Sequence, residues 1–94
     1  MNKENGLTGY FACSRAGHDN GKVYIIMKEE AEYVYLADGD CKTSAKPKKK
    51  NKKHIQIIKK DADEILRQRL LNGEQLKEEE IKHAVRQYLI GRKI

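Results

Sequence analysis

Turn signals cut the first sixty residues of this chain into pieces too short for helices. Between Gly9 and Ile58 the longest apolar runs are Val23-Tyr24-Ile25-Ile26-Met27 and Tyr33-Val34-Tyr35-Leu36-Ala37. Both are of strand length and rich in β-branched and aromatic residues. An earlier strand is expected over Gly9–Ala16, with Tyr10, Ala12 and Ser14 on one face and Phe11, Cys13 and Arg15 on the other. Apolar groups on both faces fit a strand in a small curled barrel, where the second face is partly covered. Gly17 and Gly21 bracket the next loop, where positive φ is needed, and Asp19-Asn20 supplies turn chemistry between them. Lys28–Glu32 reads as a charged turn. Asp38-Gly39 is a strong hairpin signal, leading into a short strand over Asp40–Thr43. Lys46–Lys53 then reads as a lysine loop around the only proline, Pro47, and His54–Ile58 as the last strand. Five short strands within residues 9–59 predict a mainly β unit, a small SH3-like five-stranded barrel.

From Asp61 the apolar period changes. Asp61 is a good N-cap, with Asp63 and Glu64 in a first turn whose dipole favours acids. Ile65, Leu66, Arg69 and Leu70 share one side, and Asn72-Gly73 ends the helix. A second helix is expected with Lys77 as N-cap, Glu80 at its third position and Leu76 and Ile81 placed as a hydrophobic staple. Its stripe is Ile81, Ala84, Val85, Tyr88 and Leu89, closed by Gly91. Residues 60–94 are thus expected as a helical tail, an αα-hairpin that buries its stripe on the barrel or on a partner. Residues 1–8 are expected as a loose arm.

Charge is segregated along the chain. The formal net charge is +6, yet residues 1–40 hold four basic and seven acidic residues, and residues 61–94 hold seven of each. Residues 41–60 hold nine lysines and no acid. Lys42, Lys46, Lys48, Lys49, Lys50, Lys52 and Lys53, with His54, find no acid in their own stretch and are expected to repel one another unless a polyanion is bound. Phosphate backbones answer that need through counterion release. A lysine run alone can also be a solvated linker, a nuclear-import signal or a contact to an acidic membrane surface. Neither of the last two accounts for the glycine loop beside it.

That loop carries a resemblance. Ser14-Arg15-Ala16-Gly17-His18-Asp19-Asn20-Gly21-Lys22, continuing into Val23-Tyr24-Ile25-Ile26, resembles the KOW motif, a strand-loop-strand RNA-binding element of translation and transcription proteins. The run from Gly9 to His54, with SRAGHDNGK, VYLADGDCK and KPKKKNKKH in that order, is similar to small bacterial KOW-domain RNA-binding proteins of the ribosomal protein L14e/L6e/L27e-like family. Phe11-Ala12 departs from the paired small aliphatics expected in that family's first strand. The resemblance implies that Gly17 and Gly21 allow close approach to RNA backbone beside Arg15, His18 and Lys22. It further implies ribosomal RNA as ligand, a ribosomal or ribosome-associated role, and ribosomal proteins as neighbours. The alternative is a protein-interaction module of a transcription or translation factor, using the barrel face and the helical hairpin.

Other chemistry is not expected. His18 lacks a nucleophile–base–orienter set, so no enzyme activity and no small-molecule substrate are anticipated. Cys13 and Cys41 are far apart, and with His18, His54 and His83 they do not make a zinc-ligand spacing, so no metal or cofactor is expected. Glu78-Glu79-Glu80 needs only the helix dipole as its explanation. Met1–Gly6 leads into no apolar segment, and no run has membrane-span length, so a cytoplasmic protein is expected. Tyr10, Tyr24, Tyr33, Tyr35 and Tyr88 either cover the outside of the barrel or offer faces for base stacking, Tyr33 and Tyr35 being best placed for the second role.

Overall fold

Backbone pairing accounts for the five apolar or basic pieces as one antiparallel sheet. The computed structural model describes residues 6–15, 22–40, 42–60 and 62–92. Its strands are β1 (Phe11–Ser14), β2 (Val23–Glu29), β3 (Tyr33–Ala37), β4 (Lys48–Asn51) and β5 (Ile55–Ile58), followed by helices α1 (Glu64–Leu71) and α2 (Glu78–Arg92). The sheet order is β4-β3-β2-β1-β5. Registers run Phe11 opposite Ile25 and Ile58, Ile26 opposite Leu36, and Leu36 opposite Lys48. A bulge at Met27 shifts the β2–β3 register, so that Lys28 lies opposite Tyr35.

Two expectations about strands are corrected. Asp40, Lys42 and Thr43, the described residues of the expected Asp40–Thr43 strand, are not extended in a ladder. The Asp38 carboxylate accepts hydrogen bonds from the Asp40 and Lys42 amides, both at 2.9 Å, and the Lys42 carbonyl accepts from the Asp38 amide at 2.8 Å. The turn therefore closes on itself instead of feeding a new strand. The chain beyond it is held to α2, because the Ser44 amide and hydroxyl both donate to the Glu78 carboxylate. The fourth strand is instead Lys48–Asn51, within the stretch expected as a loop.

The sheet must be curled. β4 and β5 are its two edges, yet only the 3-10 turn Lys52–His54 separates them. In a flat sheet those edges would stand about 19 Å apart. The four residue steps from Asn51 to Ile55 reach about 14 Å at most. Curling gives the sheet two buried faces. On the inner face Ala12, Tyr24, Ile26, Val34, Leu36 and Ile55 form one core. On the outer face Phe11, Val23, Ile25 and Ala37 pack with Leu66, Leu76, Ile81, Ala84 and Val85 of the helical segment. Among the described residues the β4 and β5 edges are not joined by a ladder. Leu7, expected within a loose arm, is fastened, its amide donating to Glu29 Oε1 at 2.9 Å, and the Gly9 amide donates to the Ile26 carbonyl at 2.7 Å.

Both helices have identifiable ends. α1 starts after Asp63, whose Oδ1 accepts from the Leu66 amide at 3.1 Å. The cap is therefore Asp63; Asp61 lies outside the described residues. α1 ends in a Schellman turn. Gly73, at φ 82°, donates to the Leu70 carbonyl and Glu74 to the Arg69 carbonyl, at 3.0 and 2.9 Å. Lys77 precedes α2, and its amide donates to Glu80 Oε2 at 3.0 Å, one half of a capping box. Leu76 and Ile81 are both buried in the outer core, as a staple requires. Two positions differ from expectation. Ile65 is 77% exposed, because in a helix this short Leu66 and Leu70 already take the core side. Gly91 lies within α2, which continues to Arg92.

Candidate functional site

The fold distributes the lysine run over three settings. Lys48, Lys49 and Lys50 occupy the edge strand β4, where pairing gives each a defined face. Lys48 and Lys50 lie opposite Leu36 and Val34 and are half-buried, and Lys49 lies opposite Tyr35 and is exposed. Lysine stems on an apolar face can lie along it while the ammonium reaches water. Burial, and then the neighbouring Lys50 charge, lower the Lys48 pKa from its ordinary value. Lys42 and Lys46 belong to the segment before β4. The Lys46 amide donates to Thr43 Oγ1 at 3.1 Å, and its side chain is exposed.

The third setting is the 3-10 turn, and it corrects the expectation that the run finds no internal acid. Lys52 Nζ lies 2.6 Å from Glu29 Oε2, whose side chain is 7% exposed. Lys52 therefore neutralises a carboxylate from β2 that is distant in sequence. Lys53 and His54 are exposed, and Asn51 Oδ1 caps the turn by accepting from the Lys53 amide at 2.9 Å. Among the described residues no ion pair involves Lys46, Lys49, Lys50 or Lys53.

The turn delivers His54 to Arg15 at the end of β1. The Arg15 amide donates to the His54 carbonyl at 2.9 Å, and the Ser14 amide to the Lys22 carbonyl at 3.2 Å. Arg15, Lys22, Lys53 and His54, all exposed, are thereby gathered at the end of the sheet from which residues 16–21 emerge. Gly17, His18 and Gly21 lie outside the described residues, as does Cys41. Cys13 is half-buried and free.

A further group was only half legible in the sequence. Tyr33 and Tyr35 share the outer face of β3, and Lys49 Nζ stands 4.5 Å from the Tyr33 ring centre and 5.9 Å from that of Tyr35. Lys28 Nζ approaches the Tyr35 ring from β2, at 5.8 Å. The Tyr35 hydroxyl donates to Glu30 Oε1 at 3.2 Å. Lys28 reads as part of a turn, and the bulge that brings it here carries no glycine to announce it.

Among the described residues no group of His, Cys, Asp and Glu is arranged to hold a metal ion. None of their helices is long and apolar enough to cross a membrane. The acidic start of α2 is used structurally: Glu80 Oε1 accepts from Arg69 Nη1 at 2.8 Å, and Glu78 holds Ser44. No family model matches the chain, and no curated protein matches it.

Proposed function

We propose that this protein is a non-catalytic RNA-binding protein, ribosomal or ribosome-associated, built as an SH3-like KOW barrel with a C-terminal helical hairpin. The observation that carries the reading is the basic edge. Three consecutive lysines lie in β4, the turn after it carries Lys53 and His54, and the His54 carbonyl accepts from the Arg15 amide, next to Ser14, whose amide donates to the Lys22 carbonyl. A ridge of this kind, with Lys46, Lys49, Lys50 and Lys53 outside any ion pair among the described residues, fits a phosphate backbone. The strand order and the curl support the barrel, and the shared outer core supports a helical tail that docks on the sheet. Charge supports a polyanion; the resemblance of SRAGHDNGK to the KOW loop supports structured ribosomal RNA as that polyanion.

Filter-binding titration of the full chain against structured ribosomal RNA at several salt concentrations tests this. Affinity is expected to fall steeply and log-linearly with salt. Binding that is absent, or indifferent to salt, overturns the proposal. A protein-interaction module is the second reading, favoured by Leu89 and Ile90 of α2, which are 38% and 51% exposed. It predicts association that resists salt.

A further inference from the structure

The outer face of the sheet is covered by the helical segment over Phe11, Val23, Ile25 and Ala37, whereas Lys28, Tyr33 and Lys49 at the other end of that face are exposed and Tyr35 is half-buried. There β3 presents two aromatic rings two residues apart, and Tyr33 is 37% exposed. A hydrogen bond to Glu30 holds the Tyr35 hydroxyl. Lys49 and Lys28 bring their ammonium groups over these rings from the two flanking strands. Lys49 belongs to the basic edge, so one residue links the aromatic face to the proposed phosphate track.

An ammonium over a tyrosine ring marks a π-face that is reachable from solvent and electrostatically suited to a cation or to a stacked heterocycle. A nucleotide satisfies both parts of the patch. Its base covers the ring, and its phosphate takes the displaced ammonium. A base inside a duplex has both faces occupied by its neighbours, so only an unpaired base can bind this way.

We infer that Tyr33, with Tyr35 beside it, is a stacking platform for an unpaired base of single-stranded or looped RNA, and that Lys49 and Lys28 engage the phosphates flanking that base. This rests on the RNA reading above and adds the class of RNA element recognised.

The test uses the full chain and a single-stranded RNA oligonucleotide carrying 2-aminopurine, beside the same strand in a duplex. Binding of the single strand should change the 2-aminopurine fluorescence through stacking. Tyr33→Ala should abolish that signal and weaken single-strand binding about tenfold, with duplex binding and its salt slope unchanged. Tyr33→Phe should retain both signal and affinity, since the ring and not the hydroxyl makes the contact. Salt-dependent binding in which Tyr33→Ala behaves as wild type overturns the platform and leaves the RNA reading standing. Absence of salt-dependent binding to either RNA overturns both.

Discussion

Glu29 binds together three parts of the chain. Its carboxylate accepts from the Leu7 amide at 2.9 Å and from Lys52 Nζ at 2.6 Å, so β2 holds both the N-terminal segment and the turn between β4 and β5. Truncating Lys52 leaves a buried carboxylate without its counter-charge, the costly way to break such a pair. Lys52→Ala is expected to lower stability by about 2 kcal/mol, and Lys53→Ala to change it by less than about 0.5 kcal/mol. Urea denaturation of the two variants checks this; equal stabilities would remove Lys52 from the structural account. Glu80 offers a second residue-level test. The Arg69 hydrogen bond, and then the Lys77 amide, hold its carboxyl below the ordinary value of 4.5. A depressed folded pKa means that its stabilising contribution is complete above about pH 4.5 and fades as pH falls through the lower folded value. Glu80→Gln should therefore melt below wild type at neutral pH, with the gap narrowing as the pH falls below that range. A gap constant with pH would show that Glu80 acts through something other than its charge.

Among the elements, those specified by local chemistry were legible. Tyr33–Ala37 alternates cleanly and is β3 residue for residue, and Asn72-Gly73 ends α1 in a left-handed glycine turn. β4 was not legible, because lysine has poor β propensity and nothing local marks Lys48–Asn51 as extended. Its pairing is decided by β3 across the ladder, and its place at an edge is where lysines are tolerated and discourage pairing with another sheet. The candidate site shared this division. The lysines were evident from composition, but the removal of Lys52 by Glu29 and the arrival of Lys28 beside Tyr35 depend on contacts between strands. Helix α2 makes the matching packing test. Ile81 is wholly buried between helix and sheet, so Ile81→Ala should cost about 3 kcal/mol. Ile65→Ala, at a position 77% exposed, should change stability by less than about 0.5 kcal/mol. Chemical denaturation of both separates a docked helix from an appendage; a small effect at Ile81 would contradict the shared core.

For the whole molecule, the two cores divide the labour. The inner core fills the curl of the sheet, and the outer core fixes the helical segment over Phe11, whose ring stacks on that of Tyr88 in α2 with centres 4.6 Å apart. The edge and the loop mouth are left as the basic, solvent-facing side. The proposed RNA binding requires β4 to meet phosphates. Salt titration of RNA binding by the triple variant Lys48→Ala, Lys49→Ala, Lys50→Ala, with circular dichroism to confirm folding, measures this most directly. Three lost phosphate contacts should reduce the log–log salt slope by roughly 2–3, with weaker binding at low salt. A folded triple variant with the wild-type slope and affinity would contradict the claim.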